Sequence, residues 1–201
     1  MKISNCVQTD KSGSASSKIK MTLTYEEFEK SAKDLAAFST SVGDEWLIRT
    51  LKNGTNENIY LEKRIIKPNN RALQINDLDL NDIPLHSSFS VHRYYILYSH
   101  SYSVPVLYFN AYYENGKPLS LHEIWEQVPE CYQDVMHAKK WQMITEQEHP
   151  VSGIPCFIIH PCYTANLMDS FQTSNYVISW LSVFGPLVGL KLSFDYAKFT
   201  Q

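Results

Sequence analysis

The fold and the chemistry of this chain turn on residues 156–164, which read CFIIHPCYT. The first residues of the stretch are rich in aromatic and β-branched types and follow a Gly-Ile-Pro, a pattern that predicts a buried strand. Pro161 has no N–H for a strand ladder and biases His160 towards extended backbone, so the strand should stop there. Cys162 therefore lies just past a strand end, where a side chain on a rigid scaffold can reach solvent.

Composition indicates a globular domain. The chain has 201 residues, 44% hydrophobic and 19% charged, which is enough for one domain with a real core. The net charge of -3 argues against a nucleic-acid binder, which should carry a basic excess. No apolar run approaches the roughly 20 residues that span a bilayer, and residues 1–20 contain no signal-peptide segment. We expect a cytoplasmic protein that neither binds nucleic acid nor inserts into a membrane.

Four cysteines stand at positions 6, 131, 156 and 162. They form no Cys-x-x-Cys pair and no repeated spacing, so neither a disulfide framework nor a zinc ribbon is indicated. We expect free thiols in a reducing compartment, with no metal and no cofactor.

The N-terminal half is predicted to contain a tail, a helix and four strands. Residues 1–21 are polar and serine-rich, and are expected to form a flexible tail before a single domain over 22–201. Thr24 and Glu27 form a capping box, which predicts a helix over 25–39. The segments predicted as strands are 46–48, 59–66, 91–100 and 104–113, with a long polar connection over 68–88.

The middle of the chain carries a second helix signal. Ser120 and Glu123 form another capping box, for a short helix that Pro129 ends. Residues 131–145 fit either a helix or a strand, and residues 148–153 fit a turn before the strand that leads to Cys162.

The C-terminal part is predicted to be helical. Ser174 can cap a helix over 176–184, which Gly185-Pro186 ends, and residues 187–192 and Phe194 should pack against the domain. Four or five strands in a meander, grouped apart from the helices, predict an α+β fold rather than a βαβ repeat.

Cys162 has four candidate roles. It can be an inert thiol, as free cysteines often are. It can bind a metal with Cys156 and His160, which an ideal strand places on one face, although three ligands on one strand span too far for a tetrahedral zinc. It can be a hydrolytic nucleophile, but no histidine stands in a signature that pairs with it. It can carry an acyl group as a thioester, which needs an accessible thiolate, orientation and oxyanion donors.

Residues 160–164 resemble the H-P-C-x-T active-site motif of the autophagy E2-like enzymes. The resemblance continues in the central hairpin within 92–111, in GKPLSLHEIW at 116–125, in ITEQEHP at 144–150 and in WLSVFGPLVGL at 180–190. Two branches of this family share the H-P-C core. The flanks, and the lack of a large acidic insertion, match the branch whose acceptor is a protein lysine rather than phosphatidylethanolamine.

The resemblance implies an E2-like (UBC-like) fold, with the N-terminal helix packed on a curved antiparallel meander sheet and additional C-terminal helices. It implies that Cys162 accepts the ubiquitin-like autophagy-related protein 12 from the E1-like autophagy-related protein 7 as a thioester. The acceptor it implies is a lysine of autophagy-related protein 5, in autophagosome formation.

The resemblance leaves the oxyanion donor open. Ubiquitin E2 enzymes carry His-Pro-Asn shortly before the cysteine, whereas His149-Pro150 is followed here by Val151. The candidate donors are Thr145, Thr164 and Asn166. Tyr108 is a candidate to assist the acceptor, and the residues assigned to shaping the active-site loop are His160, Pro161 and Thr164.

A function of another class also fits the sequence. The chain can be an inactive E2-like interaction module whose aromatic hairpin, residues 91–113, binds a partner by β-augmentation. The retained Cys162 favours the enzyme, because an inactive module has no need of it.

Overall fold

The computed structural model describes residues 22–53, 56–68, 89–130, 143–169, 171 and 173–199. The expected tail at 1–21, most of the polar connection at 68–88 and residues 131–142 of the ambiguous segment 131–145 lie outside these residues, as do Cys6 and Cys131.

Helix α1 spans Tyr25–Ser41, two residues longer than predicted. The predicted capping box is present, because Thr24 Oγ1 accepts from the Glu27 N–H and the Glu27 carboxylate accepts from the Thr24 N–H. The helix ends before Gly43, whose φ of 69° lies in the left-handed region that favours glycine.

Six antiparallel strands form one sheet in the order β1-β2-β3-β4-β6-β5. The first four form the predicted meander, and the last two enter in reverse order. The strand that was not predicted is β5, which overlaps the segment that fitted both a helix and a strand, residues 131–145, only at Ile144 and Thr145. Their bounds are β1 Leu47–Asn53, β2 Asn56–Pro68, β3 Phe89–Ser99, β4 Val104–Tyr113, β5 Ile144–Glu148 and β6 Pro155–Ile159.

In the described part of the chain, three further α-helices follow the meander: α2 Leu121–Glu126, α3 Thr164–Met168 and α4 Tyr176–Phe184. Single 3-10 segments lie at Pro161–Tyr163, Gly185–Val188 and Phe194–Phe199. One hydrophobic core joins Phe28 and Leu35 of α1, Leu61 and Ile96 of the sheet, and Trp180 of α4. The fold is therefore α+β, with helices packed on an antiparallel sheet, as predicted.

The hairpin proposed for β-augmentation occupies the middle of the sheet. Strand β3 pairs with both β2 and β4. The other side of β4 pairs with β6 at Tyr108 and Phe109, and Pro118 bridges to Tyr112. Docking of a partner strand along the full edge of this hairpin is therefore wrong, because β3 is paired on both sides and β6 occupies the outer side of β4 at Tyr108 and Phe109. The edges of the described sheet are β1 and β5.

Two predictions in the C-terminal part are also wrong. Asn175 caps α4, since its Oδ1 accepts from the Ile178 N–H at 3.0 Å, whereas Ser174 Oγ donates to the Phe199 carbonyl at 2.9 Å. Phe194 is 98% exposed rather than packed. Three apolar neighbours are buried as expected: Leu187, Val188 and Leu190.

Candidate active site

Strand β6 delivers Cys162 to the surface. It lies between β4 and β5, and Ile158 pairs with Tyr108 on one side and Thr145 on the other. The ladder ends as the His160 N–H donates to the Met143 carbonyl at 2.8 Å. Cys162 follows in the 3-10 turn Pro161–Tyr163, so the predicted strand end is confirmed.

The three residues assigned to loop shaping lie together around Cys162. His160 is the N-cap of the 3-10 turn, and its Nδ1 accepts from the Cys162 N–H at 3.2 Å. This hydrogen bond requires the ring tautomer that leaves Nδ1 without a proton. Pro161 is buried at the first position of the turn, where its missing N–H is not needed. Thr164 is 2% exposed, and its N–H donates to the Pro161 carbonyl.

The two described cysteines differ in environment. Cys162 is exposed, whereas Cys156 is 4% exposed and its Sγ donates to the Gln147 carbonyl at 3.3 Å. Burial raises the pKa of the Cys156 thiol to about 11, so that thiol is protonated at neutral pH. Of the two, only Cys162 offers a thiol to another molecule.

The metal arrangement considered from the sequence placed Cys156, His160 and Cys162 on one face of an ideal strand, where they span too far for one tetrahedral zinc. Strand β6 ends at Ile159, and Cys162 lies in a 3-10 turn. Within the described ranges, no group of three or more His, Cys, Asp or Glu side chains is placed to hold a metal ion.

The candidate assisting groups fall in two places. Thr145 and Tyr108 flank Ile158 across the sheet, and both are half-buried. Burial raises the pKa of the Tyr108 phenol, so Tyr108 can act only as a neutral hydrogen-bonding group at pH 7. Asn166 is exposed on α3, one turn beyond Cys162, whereas the buried Thr164 fits the loop-shaping role better than that of a donor to an exposed site.

Tyr102 is a neighbour of the site that the sequence did not point out. It lies in the turn between β3 and β4, is 45% exposed, and meets the His160 ring edge-on, with 5.7 Å between centroids and 82° between planes. The turn brings a residue 60 positions away in the chain to the Cys162 loop. The only feature of the sequence that could have pointed to Tyr102 was the presence of an aromatic residue in a tight turn between two clearly predicted strands.

His149 belongs to a different part of the molecule. It is 3% exposed in the β5–β6 turn, at the ends of those strands that lie away from Cys162. Its Nδ1 accepts from the N–H groups of Val151 and Ser152, both at 3.3 Å. Burial lowers the pKa of this imidazole, and Glu62 opposes the shift. The described contacts of His149 do not include the Cys162 loop.

Three tyrosine rings surround the His149 imidazole. The ring centroids lie at 4.4 Å for Tyr95, 5.8 Å for Tyr108 and 6.2 Å for Tyr60. Within the described part of the chain, His149 Nε2 has no hydrogen-bond partner. His149 is therefore a packed residue on the sheet face that carries these three tyrosines.

Among the described helices, none combines the length and the apolar character required to cross a lipid bilayer.

Comparison with known proteins identifies the family. The model of the family "Autophagocytosis associated protein, active-site domain" matches residues 27–194. The chain therefore belongs to this family, and the resemblance drawn from the H-P-C-x-T motif is confirmed.

Two named relatives are similar over part of their length. The chain is 43% identical over 137 residues to the ubiquitin-like-conjugating enzyme ATG10 of Homo sapiens, covering 64% of this chain and 62% of the relative. It is 38% identical over 125 residues to the ATG10 of Dictyostelium discoideum, covering 54% of each. The chain thus spans about half to three fifths of these relatives. A crystal structure of the autophagic E2 Atg10 is 18% identical, with a TM-score of 0.43, over 85% of this chain and 99% of that chain.

Proposed function

We propose that this chain is an E2-like enzyme of autophagy that carries a ubiquitin-like protein as a thioester on Cys162. The observation that supports the proposal most directly is the contrast between the two described thiols in a chain of this family. Cys162 is exposed on a turn fixed by His160 and Pro161, whereas Cys156 is buried and hydrogen-bonded. A carrier needs an accessible thiol on a rigid support, and Cys162 has both.

The first step is transfer from the E1-like enzyme. The Cys162 thiolate attacks the thioester carbonyl between the E1 cysteine and the C-terminal glycine of the ubiquitin-like protein. A new S–C bond to Cys162 forms, the S–C bond to the E1 cysteine breaks, and the E1 thiolate leaves. Because one thioester replaces another, the free-energy change of the step is close to zero. Its rate depends on the orientation of the two thioester partners and on hydrogen-bond donors for the oxyanion.

The second step is transfer to a lysine. A neutral lysine amine attacks the Cys162 thioester, an isopeptide bond forms, the Cys162 thiolate leaves, and the amine nitrogen loses its proton. Asn166 is the favoured oxyanion donor, because it is exposed one turn beyond Cys162. Thr145 and Tyr108 are the weaker candidates for oxyanion or acceptor assistance, since both are half-buried on the sheet.

The proposed partners are the E1-like autophagy-related protein 7, the ubiquitin-like autophagy-related protein 12 and the acceptor autophagy-related protein 5. Family membership and similarity to ATG10 support this set. A cytoplasmic location is part of the proposal, because a reducing compartment keeps a carrier thiol free. So is the division into a flexible tail at 1–21 and one conjugating domain at 22–201.

A loading reaction tests the proposal. This protein, the E1-like enzyme, the ubiquitin-like protein and ATP are combined, and the products are run on gels with and without reducing agent. We expect a shifted band that thiol removes. Cys162→Ser should give a band that resists thiol, because an oxyester is less reactive, and Cys162→Ala should give none.

Cys156→Ser is the matched control and should load as the wild type does. A thiol-sensitive band that persists in Cys162→Ala would overturn the nucleophile assignment. No band in the wild type, with the E1-like enzyme shown to be loaded, would overturn the carrier function itself.

A further inference from the structure

The segment that leads into α1 is fixed to the turn that approaches the Cys162 loop. The Leu23 N–H donates to the Ser103 carbonyl at 2.9 Å, and the Leu23 carbonyl accepts from the Tyr98 hydroxyl at 2.6 Å. Leu23 is 3% exposed, so its side chain is packed as well. Both backbone groups of this residue are therefore bonded to the β3–β4 hairpin, and the chain that precedes Leu23 starts from a fixed point.

This fixed point lies within a limited distance of the thiol. Ser103 follows Tyr102, whose ring centroid is 5.7 Å from that of His160. The His160 imidazole in turn accepts from the Cys162 N–H at 3.2 Å. With standard covalent dimensions, these contacts place the Leu23 nitrogen no more than about 26 Å from the Cys162 sulfur, and closer wherever the path bends.

The sequence before Leu23 contains lysines that can cover this distance. They stand at positions 2, 11, 18 and 20. An extended chain covers about 3.5 Å per residue and a lysine side chain adds about 6 Å, so the Lys18 nitrogen can reach about 23 Å from Leu23 and the Lys11 nitrogen about 48 Å. Lys18 therefore covers most of the greatest distance to Cys162, and Lys11 covers all of it.

Charge should favour contact between this segment and the domain. Residues 1–21 carry four lysines and one acidic residue, Asp10, whereas the whole chain has a net charge of -3. The rest of the chain is therefore acidic. A basic segment that is covalently attached to an acidic domain is attracted to it over roughly one Debye length, about 8 Å at physiological ionic strength.

We propose that this protein conjugates itself: when no acceptor protein is present, the tail lysines Lys11, Lys18 and Lys20 accept the ubiquitin-like protein from Cys162 of their own chain. The inference rests on the proposed function. The neutral lysine nitrogen forms an isopeptide bond to the C-terminal carbonyl carbon, and the C–S bond to Cys162 breaks. The Cys162 thiolate leaves, and the nitrogen gives its proton to water. The attachment presents the amine at an effective concentration on the order of 1 mM.

A chase reaction on the full chain tests this proposal. The chain is loaded with the E1-like enzyme, the ubiquitin-like protein and ATP, recharging is stopped with EDTA, and no acceptor protein is added. On gels, the thiol-sensitive band should convert to a thiol-resistant band. Its first-order rate should not change when the chain is diluted about tenfold, because the transfer is intramolecular, and free lysine should divert half of the thioester at a concentration on the order of 1 mM.

Arginine variants identify the acceptor residues. Arginine keeps the positive charge of lysine but does not accept the ubiquitin-like protein. A chain with Lys11→Arg, Lys18→Arg and Lys20→Arg should therefore form the thioester as the wild type does, while its self-conjugation rate falls about tenfold. Peptide mass spectrometry of the wild-type product should find the isopeptide bond on these tail lysines.

The matched control changes three exposed lysines of the domain to arginine and should conjugate itself as the wild type does: Lys30, Lys117 and Lys191. A thioester that forms without any thiol-resistant product would overturn self-conjugation alone. So would a product that persists in the triple tail variant, or a rate that falls in proportion to dilution, which would indicate transfer between two chains. No thioester at all, with the E1-like enzyme shown to be loaded, would overturn the carrier function and self-conjugation together.

Discussion

Two His-Pro dipeptides, one before the start of β6 and one directly after its end, form the same local hydrogen bond in different surroundings. At 149–150 and again at 160–161, the imidazole Nδ1 accepts a backbone N–H from two residues further on. The distances are 3.3 Å to Val151 N and 3.2 Å to Cys162 N. A histidine that bonds its own backbone in this way gives a tight turn a side-chain partner, much as aspartate and asparagine do.

The surroundings separate the two turns. His149 is 3% exposed among tyrosine rings, whereas His160 is half-buried beside one aromatic ring and an exposed thiol. Burial makes the first histidine a packing residue whose loss should destabilise the fold. The second histidine lies beside an exposed thiol, so its loss should change the rate at which Cys162 reacts. A shared dipeptide therefore predicts a turn, and only its surroundings decide what the turn does.

The largest expected effect is on stability, at the buried turn. His149→Ala removes the acceptor of two backbone N–H groups and leaves a cavity among tyrosine rings, which should lower the free energy of unfolding by about 3 kcal/mol. Urea unfolding measures the change. The exposed His122 provides the control, since His122→Ala should stay within about 0.5 kcal/mol of the wild type. A loss under about 1 kcal/mol for His149→Ala would contradict the packing role.

The next effect is a pH dependence of stability that comes from buried histidines. Burial lowers the pKa of His149, and it lowers that of His92 to about 3. Below about pH 6.5 the unfolded chain takes up protons that the folded chain resists, so stability is complete above that pH and falls as the pH drops. For His92 the slope approaches about 1.4 kcal/mol per pH unit as the pH falls below 6.5, and His149 adds to it in the same direction.

His149→Gln separates the two histidines. Urea unfolding at a series of pH values from 7 down to 5 should show a shallower loss in this variant than in the wild type, with the His92 contribution left. An unchanged slope would mean that the His149 imidazole takes up its proton as easily in the folded chain as in the unfolded one.

A smaller effect is expected at the exposed turn, and it concerns rate. His160→Ala should slow thioester loading about tenfold, which corresponds to about 1.4 kcal/mol, and should lower stability by only about 1 kcal/mol through loss of the cap. Single-turnover loading measures the rate. His160→Asn should restore part of it, because the amide oxygen can accept the Cys162 N–H. If the His160→Ala variant loaded at the wild-type rate, the claim that the second dipeptide acts on Cys162 would be contradicted.

The smallest expected effect is that of removing the Tyr60 hydroxyl, which tests whether the ring or the hydroxyl of this tyrosine supports the buried His149 turn. The Tyr60 ring faces His149 at 6.2 Å, and Tyr60→Phe keeps this ring while removing the hydroxyl. Stability should stay within about 0.5 kcal/mol of the wild type, with loading unchanged. A larger loss by urea unfolding would show that the hydroxyl, and not the ring, supports the turn.

Local features of the fold were predictable because neighbouring residues decide them. Both capping boxes, at Thr24 with Glu27 and at Ser120 with Glu123, form as the spacing predicts. Strand β4 spans the predicted residues, since most of its side chains are β-branched or aromatic, which favours a strand. The position of Cys162 after a strand end was predictable for the same reason: a proline stops the ladder.

Features decided by contacts between distant segments were not predictable from one sequence. Asn175 rather than Ser174 caps α4, because the Ser174 hydroxyl donates to the carbonyl of Phe199, which lies 25 residues further along the chain. The contact of Tyr102 with His160 depends on how the β3–β4 turn lies against the loop after β6, which no local pattern encodes. The exposed thiol proposed to act could thus be found from the sequence, while the aromatic neighbour of its loop could not.

The place of β6 in the sheet has a consequence for how the chain reaches its native state. β6 lies between β4 and β5, although it comes last in sequence among the described strands. Its pairing with β5 is local and can form early, whereas its two registered pairs with β4 join distant parts of the chain and should form late. We therefore expect β5 and β6 to dock onto the meander as a preformed hairpin near the end of folding. A chain that is still maturing would then lack an ordered Cys162 turn, and only the finished fold would present it.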